Sequence, residues 1–108
     1  FMENDCIKAW RAIGWCSFVS GKFEQAMRYY NKILALKPLS TDYLNAGHAA
    51  LLLGNMEKAA ELYGKATSES GNRERFLEMF DKDKEMLIKL GVDENDIPLI
   101  RDFGLAAD

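Results

Sequence analysis

Apolar positions along the first seventy residues recur at helical intervals, and single glycines or a proline interrupt them. From Asn4 or Asp5, either of which serves as an N-cap, Ile7, Trp10, Ile13, Gly14 and Phe18 follow at helical spacing until Gly21 breaks the run. A second helix is expected from about Lys22 to Leu36, with Phe23, Ala26, Met27, Tyr30, Ile33 and Leu34 on one face. Pro38 stops it, since proline has no backbone donor and its ring clashes inside a further turn. Ser40 or Thr41 caps a third helix, Asp42 to Leu53, which Gly54 ends. The fourth runs from Met56 to about Thr67 and closes in Ser-Glu-Ser-Gly-Asn at 68–72. No stretch shows strand-like alternation bounded by turns, so the expected fold class is all-α.

The chain repeats itself at an offset of 33 residues. Trp10 falls on Tyr43, Gly14 on Gly47, Gly21 on Gly54, Phe23 on Met56, Ala26 on Ala59 and Tyr30 on Tyr63. The first and third helices are apolar nearly all round, and a surface helix needs only one apolar stripe. Both are therefore expected to be covered on more than one side, as in a stack of helical hairpins. Gly14/Gly47 and Ala26/Ala59 mark the places where two helices must approach closely.

These positions resemble the tetratricopeptide repeat. Trp10, Ile13, Gly14, Gly21, Phe23, Ala26, Tyr30 and Pro38 stand at the family's spacing, and Tyr43, Gly47, Gly54, Ala59, Tyr63 and Ala66 repeat it. Ser17 and Ala50 replace the aromatic of the first helix, Ile33 replaces an alanine and Gly71 the second proline. The resemblance implies an alpha-alpha superhelix, a solenoid of helical hairpins, as one domain over 1–108. Repeat 1 is placed at about 5–38, repeat 2 at about 40–71 and a C-terminal helical cap at 72–108.

In that cap, Asn72 starts a helix carrying Phe76, Leu77, Phe80, Leu87, Ile88 and Leu90 and ending at Gly91. The apolar-free run Asp81 to Glu85 is expected to bend or break it, with Asp83 as a fresh cap. Asp93 or Asp96 starts a short helix, Ile97 to Phe103, with Pro98 in its first turn. Ile97, Leu99, Ile100 and Phe103 are placed to close the open end of the stack.

Composition narrows the function. Fourteen Lys and Arg against 17 Asp and Glu give a net charge of −3, the wrong sign for a phosphate-binding face, so no nucleic-acid partner is expected. The longest unbroken apolar run is five residues, Ala49 to Leu53, against about 20 for a membrane span. The single histidine belongs to no metal-ligand cluster. Asp81-x-Asp83-x-Glu85 opens like a calcium loop, but Met86 replaces its glycine and Val92 its closing acid. The glycines form no phosphate loop, and Cys16 lies among apolar residues, where thiols are usually inert. No enzyme activity and no cofactor are expected. Cys6 and Cys16 lie ten residues apart on one helix, about 15 Å, too far for a disulfide with each other. Free thiols and the lack of a charged-then-apolar leader suggest the cytoplasm, and a chain opening on Phe1 reads as a piece of a longer protein.

What remains is a protein or peptide partner. The resemblance implies a concave face lined by the first helix of each repeat, here Lys8, Arg11, Trp15, Phe18 and Lys22, then Leu44, Asn45, His48 and Leu52. Aromatic anchors flanked by cations would hold an extended segment or a helix. Trp15 reads either as a ligand anchor or as a residue buried against a missing neighbour or a dimer contact. Lys8, Arg11 and Lys22 read either as solvated or as partners of an acidic peptide, and His48 as packed or hydrogen-bonded. Some family members clamp a chaperone's C-terminal carboxylate. Arg11 and Asn45 occupy two of those places, but Trp15 stands where an asparagine is needed, and Glu74 and Glu78 stand near the third. The competing reading is structural: the terminal part of a longer solenoid that stacks, or that self-associates through the face of Trp10 and Trp15.

Overall fold

A computed structural model describes residues 2–105, with side chains from residue 5. Six α-helices follow in order: α1 (Met2–Val19), α2 (Phe23–Leu34), α3 (Ser40–Leu52), α4 (Met56–Ser70), α5 (Arg73–Leu90) and α6 (Ile97–Leu105). A single 3-10 turn, Glu94–Asp96, leads into α6. Among the described residues there is no strand, as the all-α reading requires.

The 33-residue repeat is physical. Gly21 and Gly54 end the first helix of each hairpin with φ of 82° and 83°, a conformation that side chains with a Cβ rarely adopt. Within each hairpin a glycine lets a tyrosine ring lie against the helix backbone. A Cβ on Gly14 would stand 3.2 Å from the Tyr30 ring, and one on Gly47 would stand 2.8 Å from the Tyr63 ring. Ala26 and Ala59 are fully buried between the same helices. Even the outer decoration repeats: Lys32 lies 5.6 Å from the Trp10 ring centroid, and Lys65 lies 6.0 Å from that of Tyr43.

Helix α5 begins in register and then departs from it. Arg73 starts α5 as Ser40 starts α3, and Phe76 follows Trp10 and Tyr43 in the aromatic position. Leu87 stands where the turn glycine should be, so the helix continues to Gly91. Phe80 stands where Gly14 and Gly47 stood, closing the slot that would admit a third tyrosine. The partnership is inverted instead: Gly104 on α6 receives the ring of Phe76 on α5. Thr67 on α4 donates to the Gly104 carbonyl at 2.8 Å, and Arg101 pairs with Asp81 at 2.9 Å, fixing α6 on α4 and α5.

Several boundaries differ from expectation. Helix α1 runs through Asn4 and Asp5, so neither caps it, and α3 includes Ser40 and Thr41. Its cap position is Leu39, whose backbone N–H donates to the Asp42 carboxylate at 2.8 Å. Asp42 supplies from inside the helix what Ser40 or Thr41 was expected to supply from outside. Helix α5 is unbroken across Asp81 to Glu85, and Asp83 caps nothing. Polar side chains there cost the helix little, because Asp81 and Asp83 find partners on α6 and α3. Asn55, Asn72 and Asp93 do act as local caps, each accepting a backbone N–H two or three residues on.

A ladder of rings crosses the stack. Trp15 stacks on Phe18, Phe18 on His48, and His48 meets Tyr63 and Phe80, with ring centroids 5.5–6.0 Å apart. Phe76 closes the ladder against Tyr63 and Phe80. Among the described residues α1 is covered on one side only, by α2 and α3. Ile13 is 38 % exposed and Val19 44 %, whereas Ala46, one repeat on from Ile13, is fully buried.

Candidate protein-binding cleft

The first helices of the two hairpins and α5 together line a cleft of about 280 Å³. Trp15 comes from α1, Thr41, Leu44 and Asn45 from α3, and Met79, Lys82 and Asp83 from α5. Its floor is apolar: Leu44 is buried, while Trp15 and Met79 are half-buried against the core. The rim is polar, with Asn45 within hydrogen-bonding reach of the Tyr30 phenol. Burial pushes the Tyr30 phenol well above its ordinary value, and the nearby Asp42 charge adds to the effect.

Two partly buried polar links hold the walls. Arg11 on α1 donates from Nε and Nη2 to the two oxygens of Asp42 on α3, at 2.8 and 2.7 Å. The hydrogen bond to Asp42 holds the guanidinium above its ordinary pKa, against the opposing effect of burial. The second link joins α3, α4 and α5. His48 Nδ1 lies 2.7 Å from the Tyr63 hydroxyl, and Nε2 lies 3.0 Å from Asp83 Oδ2. With a neutral ring protonated on Nε2, that N–H donates to Asp83 and the Tyr63 O–H donates to Nδ1, so both nitrogens are satisfied. Tyr63 is held far above the usual phenol range, by burial first and by the Asp83 charge second.

The expected site residues divide. Trp15 and Asn45 are brought together, with Leu44 beneath them. Phe18 is 1 % exposed and belongs to the core, packed on Phe23 and His48, so it lines nothing. His48 is fully buried and hydrogen-bonded. Arg11 is committed to Asp42 rather than free for an acidic peptide. Lys22 lies beyond the α1–α2 turn beside Gln25 and Ser20, and Lys8 is exposed on α1, both outside the cleft lining. Leu52 packs half-buried on the core. Trp10 lies beneath Lys32, and Trp15 faces the cleft, so these two do not form a shared face for self-association.

Sequence reasoning missed Met79, Lys82 and Asp83. Carrying Thr41, Leu44, Asn45 and His48 forward by 33 points to Glu74, Leu77, Glu78 and Asp81 instead. Helix α5 is turned relative to α3, and its Asp81 faces Arg101 on α6. The signal was available in part: Phe80 at a glycine position means that the third hairpin cannot pack as the first two do.

Hairpins stacked at a constant interval, with their first helices along one cleft, define a helical-repeat protein. Residues 7–40 and 43–73 each match a family profile described as Tetratricopeptide repeat, together more than half of the chain. The chain belongs to the tetratricopeptide repeat family, and with it comes a general role as a protein-interaction scaffold. No curated protein and no solved structure matches it significantly. Among the described residues, no helix is long and apolar enough to cross a membrane, and no group of three or more His, Cys, Asp and Glu could hold a metal ion.

Proposed function

We propose that the chain acts by binding alone, without catalysis, and takes an extended segment of a protein partner in the cleft between α1, α3 and α5. The observation that carries the reading is the lining itself. Trp15 and Met79 offer an apolar seat over the buried Leu44, Asn45 offers an amide that can bond a peptide backbone, and Lys82 offers a cation. Asp83 is tied to His48, so its charge is partly committed and Lys82 sets the preference at the rim. The favoured ligand carries a bulky apolar side chain with an acidic group a few residues away.

Selection of displayed peptides on the 108-residue chain tests this, with Trp15→Ala, Lys82→Glu and Lys22→Glu compared by titration calorimetry. Selected peptides should lose at least about tenfold in affinity with each of the first two variants and nothing with the third, all three remaining helical by circular dichroism. Undiminished binding to both Trp15→Ala and Lys82→Glu removes the cleft as the site. Arg11→Glu is a poor probe, because it would leave Asp42 buried without its partner.

A further inference from the structure

Two of the residues lining the cleft are charged, Lys82 and Asp83, and they differ in how firmly they are held. Lys82 is exposed and makes no ion pair or hydrogen bond, so its ammonium keeps the freedom of a four-carbon stem. The Asp83 side chain is only 22 % exposed, and its Oδ2 lies 3.0 Å from His48 Nε2, whose N–H it receives. His48 has little room to move. It is fully buried, its Nδ1 lies 2.7 Å from the Tyr63 hydroxyl, and the rings of Phe18, Tyr63 and Phe80 stand 5.5–6.0 Å away. With one oxygen anchored, the other is fixed as well, and Asp83 has no second partner among the described residues. A neutral imidazole supplies a hydrogen bond but no countercharge, so the carboxylate charge stays in the cleft wall. The rest of the run Asp81 to Glu85 points elsewhere: Asp81 pairs with Arg101, and Lys84 and Glu85 are exposed outside the cleft lining.

Given the binding role of the cleft, on which this rests, we propose that Asp83 is its specificity-determining residue. It receives a main-chain N–H beside the apolar anchor of the bound segment and bars a carboxylate from the positions flanking that anchor. An extended segment presents N–H and C=O groups in alternation. Asn45 on the α3 wall can donate to a carbonyl, whereas the Asp83 carboxylate accepts only, so it can take only an N–H. A carboxylate brought next to the anchor meets a like charge that cannot turn away, in a wall partly shielded from water, where repulsion is stronger than at an open rim. The exclusion is local. Three residues of extended chain span about 10 Å, near one Debye length at physiological salt. An acidic group that far from the anchor escapes Asp83 and can meet the mobile Lys82 ammonium. The fixed charge therefore discriminates at one place in the segment, and the mobile one attracts over a range.

A displayed library of nonapeptides, with tryptophan fixed at the centre and every other position random, tests this on the 108-residue chain. Selection on the wild-type chain should deplete Asp and Glu at least about threefold at the two positions next to the tryptophan, relative to the unselected library. Asp83→Asn keeps an oxygen for the His48 N–H but removes the charge, and it should abolish that depletion. Lys82→Met should leave it intact. One selected sequence is then synthesised with Glu or with Gln beside the tryptophan and titrated by calorimetry. The wild-type chain should prefer the Gln form by at least about tenfold and Asp83→Asn by less than about threefold. That ratio is unmoved by a general loss of affinity or stability, which weakens both forms alike. Depletion absent from the wild type, or persisting in Asp83→Asn, overturns the proposal, and it leaves the cleft standing where Trp15→Ala still abolishes selection. Selection that survives both Trp15→Ala and Lys82→Glu removes the cleft and the proposal with it.

Discussion

Helices α1 and α3 occupy equivalent positions in two copies of one motif, yet their environments differ. On α3, Ala46 and Ala49 are fully buried and Asp42 is 1 % exposed, tied to Arg11 and to the Leu39 N–H. On α1, Ala9, Ile13 and Cys16 stand in the same positions and face solvent. The inner faces diverge too: His48 is sealed between Tyr63 and Asp83, while Trp15, its counterpart, lines the cleft. A repeat therefore specifies how a hairpin closes on itself, and its place in the stack decides which surfaces remain for binding.

The sharpest way to break this comparison is to put one charge on each copy of the stripe. Ala46→Glu places a carboxylate where no water or partner is available and should cost at least about 4 kcal/mol, enough to unfold a domain of this size. Ile13→Glu should change stability by no more than about 0.5 kcal/mol, both read from urea unfolding at low protein concentration. Equal costs would mean that α1 is covered after all.

The Arg11–Asp42 pair comes next, because its two members are buried unequally, at 32 % and 2 % side-chain exposure. Arg11→Ala strands a buried carboxylate and should cost about 3 kcal/mol. Asp42→Ala frees a guanidinium that can turn to water and removes one bond to the Leu39 N–H, so about 1–2 kcal/mol is expected. The reverse order in urea midpoints would show that the cap matters more than the charge.

The two tyrosine slots can be compared by adding a methyl to each. Gly47→Ala meets Tyr63 at 2.8 Å, and Tyr63 is pinned by His48. After the gain in helix propensity, it should still lose about 1–2 kcal/mol. Gly14→Ala meets Tyr30 at 3.2 Å and should fall within about 0.5 kcal/mol of wild type.

The smallest effect near neutrality is one of pH. Tyr30 and Tyr63 both have phenols raised above the ordinary value in the folded state. The native chain therefore keeps protons that the unfolded chain loses above about pH 10. Their contribution is complete below that point and falls as pH rises, by about 1.4 kcal/mol per pH unit for each phenol. Tyr30→Phe should flatten the decline of melting temperature between pH 10 and 11.5, and an unchanged slope would contradict the burial of that phenol.

Much of this molecule was legible in its sequence, and for identifiable reasons. The glycines at 14, 21, 47 and 54 and the tyrosines at 30 and 63 report one hairpin geometry twice, because each answers a steric demand local to two adjacent helices. Family membership followed from the same positions. The cleft was legible only in part. Trp15 and Asn45 were found by position, but Phe18 looks like a surface anchor until Phe23 and His48 are seen to enclose it. Arg11 looks like a free cation until Asp42 reaches it from 31 residues away. Met79, Lys82 and Asp83 could not be placed by extrapolating the repeat, because Phe80 and Leu87 had already broken it.

By itself, then, the sequence determined the helices, their 33-residue interval and the packing inside each hairpin, since these rest on contacts within about one repeat length. The tertiary structure alone decided which helix faces were left open, how α5 turned, and which charges were spent on internal pairs. Those outcomes depend on neighbours distant in the chain. A residue type carries its own hydrophobicity and charge, but whether water or another helix meets it is settled only when the stack has closed.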